Sequence, residues 1–381
     1  MITPTAEQVQ LRATVRAFLA AHCSHAQLLA QLGQPGRFDG AMWRRVAGEL
    51  GLLGMAVPES YGGSGFSPAE LIGVLVECGR ALYPAPLFAS TVLASTALLA
   101  SGDETACAAV LPALVGGELV ATVAVAERQL LWAADQVAAK AVGEGPERRL
   151  SGSKIAVVHG DVADVLLVAA RTENGVSLLQ VRADAPGLSV RPRPGIDMTR
   201  SLADIHFEEV PARIVGTEGE GWPVLERVRD LALAALAAEA VGGMSRLTEL
   251  AIDHARTREQ FGVPIGSFQA VKHRIADMVV AVEVAERSAE VLMWAFEDGG
   301  QDFPVVAATL FAHNADAYVT VAESALQVLG GMGFTTEHPA HLYVKRARSS
   351  RALFGLPSVH RERIAPEIFG SQRNGEERRR R

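Results

Sequence analysis

Apolar positions recur at helical spacing through both ends of the chain and give way to short β-branched runs in the middle. "TPTAEQVQLRATVRAFLAA" spaces its apolar side chains three to four residues apart behind a Thr-Pro start, which predicts an amphipathic helix. "DGAMWRRVAGELGLLG" predicts another, closed by Gly54. The Gly, Pro and Ser of "VPESYGGSGFSPAEL" mark a loop, and Ser67-Pro68 opens the helix "PAELIGVLVECGRAL". "LYPAPLFASTVLASTALLASG" carries no charge but opens with two prolines and is rich in Ser and Thr. It predicts a buried core helix rather than a membrane span.

Between about 119 and 215 the period changes. "ELVATVAVAE", "KIAVVHG", "DVLLVAAR", "GVSLLQVRA" and "LADIHFEEV" are short, β-branched and separated by turn residues, which predicts a small antiparallel β-domain. From about 216 to 368 long amphipathic runs return, beginning at "GWPVLERV", "FQAVKHRI", "FPVVAATL" and "HPAHLYVK". Four long antiparallel helices make a bundle. The expected fold is α+β, mainly α. An N-terminal helical domain covers 1–118, a small β-barrel-like domain 119–215 and a four-helix bundle 216–368, and a basic, disordered tail follows at 369–381.

Composition narrows the function. The 381 residues suit two or three structural units, and 49% apolar with 21% charged residues is enough to bury a sizeable core. A net charge of −7 weighs against nucleic-acid binding. Cys23, Cys78 and Cys107 are odd in number, widely spaced and without a CxxC pair, which points to a reducing compartment, to no metal site, and to buried apolar roles. The N-terminal stretch is charged throughout and does not read as a signal peptide, so a cytoplasmic protein without membrane attachment is expected.

One segment resists a packing explanation. "RTREQFGVPIGSFQAVKH", between two apolar helices, crowds Arg, Phe-Gly, Pro, Gly and Gln into a short run. With "HRIADM" after it, it resembles the signature joining the first two bundle helices of the acyl-CoA dehydrogenase family. "LQVLGGMGFTTEHPAHLYVKRAR" is similar to that family's second signature, and "VPESYGGSGFSPAEL" and "GSKIAVVHGDVADVLLVAAR" resemble its N-terminal loop and central strands. The resemblance spans nearly the whole chain. It implies FAD held across a subunit interface, with one chain seating the ring and its neighbour holding the far end. Arg258 matches the position that pairs with the pyrophosphate, where a guanidinium fork suits phosphate oxygens. By the same resemblance Phe261 packs beside the cofactor, and Gln269 and Gln327 face the adenosine end. Gly330 and Gly331 let the backbone come close without a Cβ clash.

The sequence departs from that family where the chemistry happens. Desaturation needs a carboxylate base. Gly355 stands at its usual position, and Ala232 and Leu233 at the alternative one near the start of the first bundle helix. The motif opening the β-domain keeps Glu127 but loses its Pro and Gly-Ser-Asp turn, and Ala156 and Val158 replace the Trp and Thr expected against the ring. The resemblance therefore implies a subunit lacking the catalytic Glu of an α2β2 acyl-CoA dehydrogenase acting on sterol-derived or other bulky acyl-CoAs. A homologous subunit carrying the Glu would be its partner and electron-transferring flavoprotein the acceptor. Two alternatives stay open: a self-sufficient enzyme using Glu239, seven residues after Ala232 on the same helix face, or a flavin-free acyl-CoA-binding scaffold. Glu239 could be a displaced base, but a buried, paired structural acid is the preferred reading, and Asp230 is a weaker base candidate.

Overall fold

Residues 4–32, 38–297 and 302–379 are described by a computed structural model, with only the backbone of 297 and of 371–379. Helix α1 (Ala6–His22) starts where expected because Thr5 and Gln8 cap each other reciprocally, at 3.2 and 3.0 Å. Two short helices follow, α2 (His25–Leu32) and α3 (Gly40–Gly48). The latter is held at its start by the Asp39 carboxylate, which accepts from the backbone amides of Ala41 and Met42. Ser67 caps α4 (Pro68–Ala81), which is buried over most of its length. The uncharged run then forms one buried rod. Phe88–Ala94 is wound as a π-helix and continues directly into α5 (Ser95–Ser101). Helix α6 (Glu104–Val115) closes this layer.

The middle of the chain forms a small closed sheet. Its strands are β1 (Ala121–Ala124), β2 (Lys140–Val142), β3 (Glu147–Val158), β4 (Val165–Thr172), β5 (Gly175–Arg182), β6 (Leu188–Arg193) and β7 (Leu202–Val215). Strands β4, β2, β3, β7 and β5 pair in a ring that closes between β5 and β4, with β1 added beside β4 and β6 beside β7. The sheet is not wholly antiparallel, as the pattern suggested: β1 runs parallel to β4, and β2 meets β4 in parallel at one residue pair. Long-range pairing decides strand direction, and a local pattern carries no information on it. Strands β2 and β6 were not legible in the sequence. The first is three residues long, and the second carries Pro192 and mostly exposed side chains, as an edge strand tolerates.

The bundle is built around α7 (Gly221–Thr257), whose middle is buried on all sides. Among the described residues it is the helix long and apolar enough to cross a membrane, yet 89% of its apolar window is buried inside the protein. A two-strand hairpin, β8 (Glu259–Gln260) and β9 (Val263–Pro264), leads to α8 (Gln269–Glu297). Helix α9 (Phe303–Leu329), a turn at Gly330–Phe334, α10 (Ala340–Ser350) and α11 (Pro357–Arg379) complete the bundle. Asn314 on α9 donates to the Ala237 carbonyl at 3.1 Å and to Ser288 at 2.7 Å, so one buried amide ties three bundle helices together. Helices α4 and α7 cross with backbones in contact. A Cβ at Gly79 would lie 2.1 Å from the Glu239 carbonyl oxygen, and one at Gly242 would lie 1.8 Å from that of Val76. The stretch from 369, expected as a disordered tail, continues the backbone of α11 to Arg379, and Arg380 and Arg381 lie outside the described residues.

Candidate functional site

The position where a family member seats the flavin ring is packed solid. Ala156 and Val158 on β3 line it, facing Val123, Val125, Leu93 and Phe354, and the space between is about 20 Å³. Trp132, in the segment that replaces the expected Gly-Ser-Asp turn, is only 6% exposed and closes the pocket from the β-domain side. Its ring meets Phe354 edge-on at 4.9 Å between centroids. Phe354 in turn stacks against Phe88 at 6.0 Å, and the Arg200 guanidinium lies 4.7 Å over the far ring of this row. Such aromatic and cation contacts add to what burial alone provides. Glu127 survives for a local reason: its carboxylate accepts from the amides of Ala138 and Ala139 and pairs with Lys154 Nζ at 2.6 Å. Burial pushes the Lys154 ammonium down to about 8, against the opposing pull of Glu127.

Gly355 is confined as well. Its backbone has φ +107°, a region that side chains avoid, and a Cβ there would sit 3.0 Å from Leu131 Cδ1 and 3.2 Å from His360 Nε2. The ring of His360 is paired with the Phe354 carbonyl oxygen at 3.1 Å. Burial, then the positive charge of Arg363, lower its pKa to about 4. At the alternative base position Ala232 and Leu233 are both fully buried in α7. A carboxylate at 355 would have to displace Leu131 and His360, and one at 232 or 233 would have to enter the packed core.

Glu239 lies in a buried ionic cluster that joins the β-domain to the bundle. Its carboxylate accepts from Arg200 and pairs with Arg346 Nη1 at 3.5 Å. Arg346, on α10, also pairs with Asp197 at 2.8 Å and donates to Thr199 Oγ1 at 2.6 Å and to the Thr199 carbonyl at 2.9 Å. Arg200 Nη1 reaches Ser350 Oγ at 3.3 Å. Two guanidiniums balance two carboxylates, the arrangement that buried charge requires. Burial, then repulsion from Arg346, lower the Arg200 pKa from its ordinary value. Asp230, the weaker base candidate, is held by Arg229 at 3.3 Å and Arg363 at 2.7 Å. Sequence reasoning missed Arg200, Arg346, Asp197, Phe88 and Trp132. The run "DMTRS" inside an apolar β-domain was the one visible signal for the first group.

The residues expected to hold the far end of FAD lie elsewhere and point outward. Arg258 ends α7, and its backbone is fixed on both sides, N–H to the His254 carbonyl and carbonyl to the Ile265 N–H, each at 2.8 Å. Its side chain is exposed, and no carboxylate pairs with it among the described residues. Phe261, at the tip of the β8–β9 hairpin, is 92% exposed with φ 55°, and its ring lies edge-on to that of Phe268 with centroids 6.2 Å apart. Gln269 opens α8, and Gln327 lies two residues before the end of α9, both exposed. The up-and-down course of α7, α8 and α9 puts the hairpin and the Gly330–Gly331 turn at the same end of the bundle. The pKa of His338, just beyond that turn, is lowered first by burial and then by charges that include His254, one turn before Arg258. Gly330 has φ 60°, and a Cβ at Gly330 or Gly331 would meet nothing within 4 Å.

A helical layer, a closed β-domain and a bundle bearing this outward-facing polar end define the acyl-CoA dehydrogenase architecture. Residues 5–118 match the family model for the acyl-CoA dehydrogenase N-terminal domain and residues 219–369 that for the C-terminal domain. The chain belongs to the acyl-CoA dehydrogenase family, a family of oxidoreductases. Acyl-CoA dehydrogenase IpdE2 of Mycobacterium tuberculosis is 31% identical to it, over 97% of this chain and 100% of that protein. Acyl-CoA dehydrogenase FadE27 of the same organism is 32% identical, over 90% and 91% of the two chains. Among solved structures, the ChsE4-ChsE5 complex from Mycobacterium tuberculosis contains a chain 30% identical with a TM-score of 0.87, covering 97% of this chain and 98% of that one. A variant of the Tcur3481-Tcur3483 steroid acyl-CoA dehydrogenase matches at 31% identity with a TM-score of 0.85 over 96% and 98%.

Proposed function

We propose that this chain is the partner subunit, without a base of its own, of a hetero-oligomeric acyl-CoA dehydrogenase. A homologous subunit supplies the carboxylate and seats the flavin ring, while this chain reaches over to hold the pyrophosphate and adenosine of the same FAD. One contrast carries the reading. The ring position in this chain's β-domain is closed by Trp132, Phe354 and Phe88, whereas Arg258, Phe261, Gln269 and Gln327 are exposed at the bundle end. The inner half does not fit a flavin ring, and the outer half fits a nucleotide tail. In such a complex FAD supplies the hydride acceptor for α,β-desaturation of an acyl-CoA thioester.

Three further observations support it. The Glu239 carboxylate is taken up by Arg200 and Arg346, so we assign it as their counter-ion rather than as a displaced base. Large apolar side chains are exposed along α8 and at the turn after α9, among them Val280 at 63%, Val284 at 47% and Phe334 at 70%. A surface of that kind is what a subunit interface covers. Relatives of this chain include one named as a steroid acyl-CoA dehydrogenase and one solved as a complex of two different proteins, which favours a bulky, sterol-derived acyl group. Electron-transferring flavoprotein is the acceptor the family resemblance implies.

The test is co-expression with homologous acyl-CoA dehydrogenase subunits of the same organism that carry the catalytic Glu, then purification and flavin counting. The reading expects a mixed complex with one flavin for each pair of unlike chains. A homotetramer of this chain alone, with a flavin in every subunit and activity on acyl-CoAs, overturns it. So does a colourless mixed complex that still binds acyl-CoA, which would make the chain a flavin-free scaffold.

A further inference from the structure

The rod formed by the π-helix at Phe88–Ala94 and α5 has two differently used sides. Leu93 lines the closed ring position. Thr91, Ser95 and Leu99 line a second cavity of about 520 Å³, bounded by Leu71 of α4, Leu231 of α7 and Phe303 of α9. It opens to the surface beside Arg227 and Pro304, and its volume falls within the range of small-molecule sites. Wide π turns are frequent at functional sites because they shift side chains out of helical register.

Two features mark the cavity as built for a ligand rather than left over from packing. Thr91 is 2% exposed and its hydroxyl has no hydrogen-bond partner among the described residues, a costly condition for a buried polar group. Ser95, on the same wall, is turned toward the Ser90 carbonyl, to which it donates at 3.0 Å. At the rim, the Arg227 guanidinium is exposed and pairs with no carboxylate among the described residues. The nearby Asp230 is committed to Arg229 and Arg363, so it does not cancel that charge. An apolar space with a free cation at its mouth and an orphaned hydroxyl in its depth selects one kind of molecule.

We propose that this cavity is a second binding site, for an aliphatic or alicyclic monocarboxylate whose acid end pairs with Arg227 and whose apolar body carries an oxygen that Thr91 bonds. The site is separate from the position of the flavin ring and does not depend on the subunit assignment above.

Calorimetric titration of the full chain, alone or in its co-purified complex, tests it with sodium decanoate, ω-hydroxydecanoate and decyltrimethylammonium as probes. Saturable binding of decanoate is expected, with the ammonium probe weaker by about tenfold or more, the ratio that one charge-assisted contact sets. Arg227→Gln should erase that difference. The hydroxy acid should bind more tightly than decanoate, and Thr91→Val should remove its advantage. Ala100→Phe, or Ala56→Leu if the first variant does not fold, should block the cavity and all three ligands. Equal binding of the anionic and cationic probes, or decanoate heat unchanged by a cavity-filling variant that folds, overturns the proposal.

Discussion

The indole of Trp132 meets the ring of Phe354 edge-on, 4.9 Å from centroid to centroid, across a gap of more than two hundred residues in sequence. That contact fills part of the space that the family resemblance assigns to the flavin ring. It also fixes the backbone just before Gly355, where the base would otherwise stand.

Restoring the missing acid should therefore fail. Gly355→Glu forces a side chain into a φ of +107° against Leu131 and His360. Strain of this kind costs roughly 1 to 3 kcal/mol. The variant should melt earlier by several degrees and gain no desaturase activity when assayed without a partner. A stable Gly355→Glu protein that turns over acyl-CoA by itself would show that the ring position opens.

Arg258→Gln should behave in the opposite way. The side chain is exposed and unpaired within this chain, so the melting temperature of the isolated subunit should stay within about a degree. In the co-purified complex, flavin retention after gel filtration should drop by about tenfold, the scale of one lost guanidinium–phosphate interaction. Equal flavin content in the two complexes would remove Arg258 from the nucleotide site.

Glu239 separates two roles cleanly. As the shared counter-ion of Arg200 and Arg346, its replacement by Gln leaves buried positive charge and should cost about 3 to 5 kcal/mol in urea unfolding. As a base, the same variant would abolish exchange of the acyl α-proton with solvent while leaving the fold intact. Denaturation curves and deuterium exchange on one preparation distinguish these outcomes.

Acid should weaken the fold through His159. This imidazole is buried, and burial, then Arg200 and Arg346, depress its pKa to about 3. The unfolded chain protonates the same group near 6.5, so it binds more protons than the native state at every pH between those values. The stabilisation is complete above about pH 6.5 and is lost progressively as pH falls toward 3, at up to about 1.4 kcal/mol per unit. His159 has φ 52°, a conformation that Asn tolerates, so His159→Asn should fold and flatten the slope of stability against pH. An unchanged slope would assign the acid sensitivity to another group such as His360.

Much of the architecture was legible because it is written locally. Thr5, Asp39 and Ser67 each cap the helix that follows, and the apolar period of α7 announces a buried helix. The absence of a carboxylate at Gly355 and of aromatic or hydroxyl groups at Ala156 and Val158 was equally visible. What filled the vacated space was not, because the replacements come from distant segments: Phe88, Trp132 and Phe354 share no pattern and meet only in the fold. Glu239 stayed ambiguous for the same reason, since Arg200 lies 39 residues away and Arg346 lies 107. Strand direction at β1 and the edge strand β6 likewise depend on partners that periodicity does not name.

The glycine crossing of α4 and α7 has a mechanical meaning. Gly79 and Gly242 leave less than a methyl group's clearance between these two rods, so any side chain at either position would prise the helical layer away from the bundle.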